Sequence, residues 1–458
     1  RALASKRVMS TDNENNNVSH LIQEAQSLFQ QTFQPSSSSP PSPSSPPLSS
    51  YHCTCAPGRV NLIGEHTDYT QGLVLPLCIH YSTVCYGTGK VIEDVGEGGG
   101  GICRIVSTNQ GGSSNVYTFN SNEIEKVKEP KWVNYILGVV AQYTPDLNTS
   151  SREVVSFDLA IAGDVPLGSG LSSSASLEIS VARFMECVLG DDRSFSSVWK
   201  CNETERKISI ERAVRCRRAE NVYADSPCGI MDQYVSSCGK KDCVLMIDCR
   251  SLDYQQVVMG GGKEHVDKPA IVVCNSNVSH SIADGEYPIR VAQCQTATSI
   301  LQEFTAVTNN ETKIESLRDA TLDHLKQCQD KMEDVIYKRA KHVITENERV
   351  LQAVKALQNG EWETMGLLMN ESHDSLKHDF EVSCEEVDVL VDLARSYKGV
   401  YGSRITGGGF GGCTVTLVKR EDVEGLMCFL KEGYKEKCGL DCSCFVTDAA
   451  DGSRVIEL

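Results

Sequence analysis

The sequence predicts a mixed α/β protein, and three observations carry that prediction. Val155, Phe157, Leu159 and Ile161 share one parity, the mark of a half-buried strand. A Gly- and Ser-rich turn from Gly168 to Ser174 follows. It opens a helical stretch from about Ala175 to Leu189, stopped by Gly190. Near the other end, the apolar run from Cys413 to Val418 comes directly after a glycine cluster and reads as a further strand. At 458 residues, and with roughly 100–200 residues per domain, the chain has room for two or three domains.

The elements follow in order. The chain starts at Arg1 rather than Met, so residues 1 to 8 read as a fragment edge or the stump of a targeting peptide, with Met9 a possible start. Val18, Leu21, Ile22, Ala25, Leu28 and Phe29 have helical spacing, which predicts a short helix. Pro35 to Ser50 is all Pro and Ser apart from Leu48. That composition cannot bury a core, so residues 1–50 read as a disordered leader and linker, with the folded body beginning near Tyr51. Further on, helices are expected over Ile208 to Val222 and over a face carrying Val350, Val354 and Leu357, ended by Gly360. Another opens with Ser383 and Glu386 in capping-box spacing and continues through Val387, Leu390 and Val391. No repeat of fixed period is present.

Composition narrows the function classes. Hydrophobic residues make up 40% and charged residues 23%, as in ordinary globular proteins. No run approaches the ~18 apolar residues of a membrane helix. With 44 basic against 61 acidic residues the formal charge is −17. This disfavours nucleic-acid and membrane partners, whose binding is driven by Lys and Arg. The 21 cysteines form no CxxC pair, which argues against zinc and thioredoxin-like sites. Several, such as Cys274 and Cys413, sit in apolar runs as small hydrophobes. Asn148, Asn202 and Asn277 head glycosylation sequons, but no apolar signal segment precedes them, and a reducing cytosol is the expected setting.

Four stretches concentrate chemistry. The first runs from Pro57 to Tyr69 and holds Arg59, Glu65, His66 and Asp68 between apolar strands. Buried together, these groups need partners. Sugar hydroxyls would satisfy them; a solvated polar loop, or a metal site at Glu65, His66 and Asp68, are the alternatives. The second, Pro166 to Ala175, places Gly168, Gly170, Ser172 and Ser173 between strand and helix. There, close backbone approach and the helix N-terminus suit a phosphate, although no GxxxxGK[ST] occurs; a plain strand-to-helix turn is the alternative. In the third, Gly407, Gly409 and Gly412 satisfy GxGxxG. A dinucleotide fingerprint should open a helix, whereas this one enters a strand, so it reads as a close-approach or tight-turn loop. The fourth holds Glu220, then Cys228 to Gln233, with Asp232 among apolar residues and Arg59 as its expected partner; a capping role for Asp232 is the bland alternative.

Taken together, these stretches resemble the motifs of the GHMP small-molecule kinases, and within them the galactokinases. Gly58 to Tyr69 resembles the sugar motif, Gly170 to Ala175 the ATP motif and Gly407 to Gly412 the third motif. Cys228 to Gln233 and the segment from Ser279-His280-Ser281 to Arg290 are also similar. The resemblance spans about Tyr51 to Leu458. It implies a two-domain α/β (α+β) GHMP fold, divided as 51–248 and 249–458, with the active site in the cleft between. It implies ATP and Mg²⁺, with phosphates on Gly168, Gly170, Ser172 and Ser173, the metal near Ser172 and Glu220, and Trp132 near adenine. It further implies galactose on Arg59, Glu65, His66, Asp68, Asp232 and Tyr287, with Asp232 and Arg59 the catalytic pair acting on the anomeric hydroxyl. A kinase of N-acetylgalactosamine or arabinose, or a non-catalytic galactose and ATP sensor, are the alternatives; a cytoplasmic monomer is expected. The chain departs from the family pattern at Asn221, where His is usual, and at Asp225, where Gly is common. Where such a glycine holds a positive φ, Asp can adopt it at some cost, and the extra carboxylate of Asp225 would repel phosphate and count against the metal assignment.

Overall fold

The computed structural model describes residues 12–34, 51–93, 101–147, 153–190, 202–262, 268–279, 283–307 and 313–458. The first half runs α1 (Asp12–Phe33), β1 (Tyr51–Asn61), β2 (Leu73–Val74), β3 (Pro76–Glu93), β4 (Ile102–Ser107), β5 (Tyr117–Asn120), α2 (Val133–Tyr143) and β6 (Glu153–Gly163). It continues through α3 (Ser173–Leu189), α4 (Asn202–Tyr223), α5 (Met231–Cys238), β7 (Cys243–Asp248) and β8 (Tyr254–Val258). The second half holds β9 (Ala270–Ser279), α6 (Ala283–Val307), α7 (Leu322–Gln327), α8 (Asp334–Asn359), α9 (Trp362–His378) and α10 (Glu385–Ser396). It closes with β10 (Val400–Thr406), β11 (Gly411–Val418), α11 (Val423–Cys438), β12 (Ser443–Thr447) and β13 (Arg454–Ile456).

These strands form a six-stranded sheet ordered β13-β1-β3-β6-β4-β5, a four-stranded sheet ordered β10-β11-β9-β12, and a small sheet ordered β2-β7-β8. All pairings are antiparallel except β4 with β6. Between the two large sheets runs a shared apolar core. Val60, Leu62, Leu75 and Leu77 pack in one cluster with Val350 and Leu357 of α8, Met365 of α9, and Val273 and Val415 of the second sheet. The sugar-motif loop leaves β1 directly above this seam.

The predicted strand over 155–161 and the helix from about Ala175 are both present, the latter ended by Gly190 at φ 79°. Gly360 likewise ends α8 in the left-handed conformation, at φ 74°. Four expectations need correction. The helix around Val18–Phe29 is 22 residues long and belongs to the folded body. It buries Leu21, Ala25, Leu28 and Phe29 against Val84, Val106, Ala160 and Ala162, so the body begins before Tyr51. For the same reason β6 is covered on both faces: one parity packs on α3 and α2, and the other, Ala160 and Ala162, packs under α1. The capping box at Ser383 does not form. Its hydroxyl donates to Asp388 Oδ1 at 2.5 Å, and α10 starts after Cys384 without a side-chain cap. The expected division at 248/249 falls inside the β7–β8 pair, and the chain's last strand, β13, returns to pair with β1. The Pro/Ser segment and residues 1–8 lie outside the described residues, as do His280 and Ser281.

Candidate active site

The site is built where β1, the loop after it, and the N-terminal ends of α3 and α5 converge. Arg59 sits at a break in the β1–β3 register between Pro57 and Arg59. A Cβ on the preceding Gly58 would lie 2.6 Å from the carbonyl oxygen of Leu171, so only glycine lets β1 come this close to the phosphate loop. Arg59 N–H donates to that same carbonyl at 3.1 Å.

The expected pair is present. Arg59 grips Asp232 with two parallel bonds, Nε to Oδ1 at 2.7 Å and Nη2 to Oδ2 at 2.6 Å. Its remaining nitrogen donates to the Gly170 carbonyl at 2.5 Å. This fork geometry is the strong form of an ion pair. The guanidinium is almost fully buried, while the Asp232 side chain keeps 28% of its exposure, so the carboxylate edge stays open to a ligand. Ser172 adds a third donor, its hydroxyl giving to Asp232 Oδ2 at 2.5 Å. Asp232 lies in the first turn of α5 and caps nothing with its side chain.

Around this pair stand the other sugar-motif residues. Asp68 Oδ1 accepts from the Tyr69 N–H at 3.0 Å, and Asp68 fills the space where Gly229 has no side chain. Burial, then the charges of Asp232 and Glu65, push its carboxyl up to about 6. His66 adopts φ 61° and packs its ring 4.9 Å from that of Phe380. Burial, then neighbouring His342, Arg290 and Arg404, lower its imidazole to about 3, so it is neutral. Its Nδ1 meets the Tyr69 hydroxyl at 3.2 Å, whereas Nε2 is buried with no hydrogen-bond partner among the described residues. The Tyr287 hydroxyl likewise has none among them, with its ring 5.0 Å from Tyr69 and 6.4 Å from His66. Buried polar atoms left unpaired are costly, and two in one pocket mark a place built for a polar ligand.

Glu65 is placed differently. Its Oε1 accepts from Gly407 N–H at 2.8 Å and Thr406 Oγ1 at 3.1 Å, beside Arg404 at 3.5 Å, and the residue is 2% exposed. The structure uses that oxygen to tie the sugar motif to the third glycine loop. The metal alternative at Glu65, His66 and Asp68 therefore loses a ligand atom.

Gly168, Gly170 and Ser172 take φ of 68°, 76° and 64°. Because the Ser172 hydroxyl is turned to Asp232, it does not cap α3, and the first N–H groups of a helix left uncapped in this way suit an anion. The third glycine loop connects β10 to β11 as a hairpin, not a strand to a helix. A Cβ on Gly407 would stand 3.0 Å from the Gly170 carbonyl, and one on Gly412 2.9 Å from that of Ser169. Its glycines thus serve backbone-to-backbone packing on the phosphate loop. Trp132 precedes α2 and lines a pocket with Asn109, Tyr135, Leu177, Ser173 and Ser174.

Glu220 lies behind the loop, 5% exposed, and accepts from Gln233 Nε2 at 2.5 Å. Burial, then Asp232, raise its carboxyl to about 7, with a hydrogen bond from Ser174 opposing. A second buried acid, Glu178, accepts from the same Gln233 at 3.1 Å. Two buried carboxyls and adjacent hydroxyls are the hard oxygen donors Mg²⁺ prefers, so the residues fit the ion. Ser174 rather than Ser172 is the hydroxyl that meets Glu220 here. Asp225 takes φ 52°, and its exposed carboxylate pairs with Lys126 at 2.5 Å; Asn221 Oδ1 accepts from Cys228 N–H at 2.9 Å.

The motifs gave no hint of the α8 struts. Glu346 Oε1 accepts from Gly64 N–H at 2.8 Å, Glu65 N–H at 3.3 Å and the Ser372 hydroxyl at 2.6 Å. Its other oxygen pairs with Arg349 at 2.7 Å. His342 donates to the Glu65 carbonyl at 3.1 Å, and Asn347 Oδ1 accepts from Leu73 N–H at 2.8 Å. Arg349 and Coulombic neighbours outweigh burial and hold Glu346 down at about 2. The one available signal was a carboxylate on the stripe that also carries Val343 and Val350.

Comparison with known proteins agrees with this geometry. Residues 45–88 match a galactokinase galactose-binding signature, 134–240 the GHMP kinases N-terminal domain, and 353–436 the GHMP kinases C-terminal family. A galactokinase of Homo sapiens is 39% identical over 88% of this chain and 91% of its own length. One from Roseiflexus is 38% identical over 88% and 92%. The structure of Lactococcus lactis galactokinase complexed with galactose superposes with TM-score 0.77 at 28% identity, covering 95% of this chain and 99% of that one. A mevalonate kinase structure shares the fold, with TM-score 0.54 at 17% identity over 86% and 98%. Among the described residues no helix is long and apolar enough to cross a membrane.

Proposed function

The chain belongs to the galactokinases of the GHMP kinase family, and from that premise we propose that it transfers the γ-phosphoryl group of ATP to the anomeric C1 hydroxyl of galactose. One observation carries the reading: Asp232 Oδ2 accepts from both Arg59 of the sugar motif and Ser172 of the phosphate loop. A single carboxylate thus joins the place for an acceptor hydroxyl to the place for a phosphate.

The chemistry follows from that junction. Phosphoryl transfer passes through a loose transition state, so positioning and electrostatics supply most of the rate. Asp232 accepts a hydrogen bond from the C1 hydroxyl and orients its oxygen toward the phosphate, the sugar taking the place of Ser172 on Oδ2. Arg59 fixes the same carboxylate with two hydrogen bonds and places positive charge beside the reacting oxygen. In a loose transition state the hydroxyl proton moves late, after bond formation to phosphorus has begun. His66 Nε2 and the Tyr287 hydroxyl, unpaired among the described residues, take sugar hydroxyls as partners, and Asp68 accepts from another. Glu65 supports the loop from behind. The first turn of α3, with Gly168, Gly170, Ser172 and Ser173, cradles the phosphates, and the Trp132 pocket takes the adenine. Glu220, with the loop serines, would hold Mg²⁺, which would neutralise phosphate charge. Cysteines buried as packing residues fit a reducing, cytoplasmic setting.

The test is ADP release with galactose, N-acetylgalactosamine, arabinose and glucose offered separately, wild type against Asp232→Asn. Turnover on galactose alone, abolished in the variant, is expected. Tight binding of galactose and ATP without turnover in the wild type would leave only a sensor.

A further inference from the structure

A second group of reactive side chains lies away from the cleft, at the edge of the four-stranded sheet. Cys274 on β9 and Cys444 on β12 are directly paired in the antiparallel register. Their Sγ atoms stand 2.7 Å apart, inside the roughly 3.5–4.0 Å at which two carbons meet in van der Waals contact. Cys442 completes the group, its Sγ 4.0 Å from that of Cys444. Directly opposed residues of an antiparallel pair have Cα atoms about 4.5 or 5.5 Å apart, and both values lie within the range a disulfide spans. Cys274 is fully buried, Cys442 nearly so, and Cys444 partly exposed.

We propose that Cys274, Cys442 and Cys444 form a thiol modification site in which a low-molecular-weight disulfide closes a Cys274–Cys444 bridge. The sulfur of Cys444, the least buried of the three, loses its proton to water and attacks one sulfur of the incoming disulfide. A mixed disulfide forms and the first small thiolate leaves. Cys274 then attacks the Cys444 sulfur, the second small thiolate leaves, and the intramolecular bond is made. The protons of Cys274 and Cys444 end on the two released thiols; the protein dithiol is oxidised and the incoming disulfide reduced.

Hydrogen bonding ties the three thiols together. Hydrogen bonds from the Cys274 and Cys444 thiols are the leading cause that pulls the Cys442 thiol well below its usual range. Cys274 is pushed up, first by its hydrogen bonds to Cys442 and Cys444. Against the hydrogen bond to Cys274, the one to Cys442 and burial push Cys444 up as well. Exposure, not acidity, therefore makes Cys444 the point of entry. The bridge would staple the edge strand β12 to β9. Two residues beyond Cys274, Ser276 donates to the Gly412 carbonyl at 2.8 Å, and so joins β9 to the third glycine loop.

The experiment treats the full folded chain with oxidised glutathione, quenches in acid, alkylates the remaining thiols and maps linkages by mass spectrometry. The expected product joins the Cys274 peptide to the Cys444 peptide, is undone by a dithiol reductant, and melts a few degrees above the reduced protein. Cys444→Ser should leave Cys274 fully alkylatable, whereas Cys442→Ser should still form the Cys274–Cys444 bridge. Because Cys444→Ser could disturb β12, wild-type linkage is read independently against Cys428, the exposed thiol on α11. Glutathione found on Cys428 while Cys274 remains alkylatable would overturn the proposal, as would a linkage that joins Cys442 to Cys444 with Cys274 left free.

Discussion

The two ends of the active site are built by opposite means. The sugar end is a set of buried side chains held from behind: Glu65 by Gly407 and Thr406, the loop backbone by Glu346 and His342. The phosphate end is nearly bare. Cβ atoms added at Gly168 would meet nothing within 4 Å, and at Gly170 nothing nearer than 3.6 Å. A neutral polyhydroxyl ligand is recognised only by directed side-chain groups, each of which must be fixed. An anion is recognised by backbone N–H groups and a helix terminus, which need only the right φ and open space.

Mutations should therefore act differently at the two ends, and most of all where they meet. Asp232→Asn keeps the shape but removes the carboxylate, so kcat should fall about 10³-fold, with galactose affinity much less affected. An unchanged kcat would detach catalysis from the junction. Next in size is Glu346→Ala, which strands a buried Arg349 and frees the Gly64–Glu65 backbone, a loss of about 3–5 kcal/mol. The KM for galactose should rise severalfold with that for ATP near wild type, and Glu346→Gln should recover part of both stability and KM. Equal effects on the two substrates would break the comparison. Gly170→Ala has room for its methyl group but must hold φ 76°, a strain of about 1–2 kcal/mol. Steady-state kinetics should show a higher KM for ATP and little change for galactose.

The smallest effect is the pH response of the sugar end. With the Asp68 carboxyl raised from 3.8 to about 6 by burial and neighbouring acids, acidification through pH 6 protonates it and costs it an acceptor. Galactose affinity should decline below pH 6, and Asp68→Asn should flatten that profile at weaker binding. The stability sign is the reverse. The folded state holds this proton more tightly than the unfolded chain, so ionised Asp68 destabilises the fold above pH 6. Asp68→Asn should accordingly raise the melting temperature more at pH 8 than at pH 5.

Much of the site could be read along the chain because its groups are local in sequence. Residues 58–69, 168–175 and 228–233 each carry several interacting groups within one turn or loop, and the positive φ of Asp225 matches the glycine common in the family at that position. The Arg59–Asp232 pair was also legible, since a charge set among apolar residues demands an opposite one. What stayed hidden depended on distant segments meeting. Glu346 looked like one more charge on a helix, because only the packed fold brings it to Gly64. Ser383 looked like a cap until Asp388 offered its hydroxyl a stronger, charged acceptor.

The leader shows the same limit most clearly. Spacing alone predicted a helix there, but nothing in residues 12–33 says which surface will cover it, and the Pro/Ser run that follows hid that it docks at all. The second face of β6 supplies the answer: Ala160 and Ala162 are small enough to admit Leu21 and Phe29. Local chain geometry and the chemical types of the site were determined by the sequence itself, since they rest on dihedral preference and periodicity. Which faces are buried, which carboxylate braces which loop and which cysteines meet were decided only by tertiary structure, because burial and long-range pairing belong to the whole chain at once.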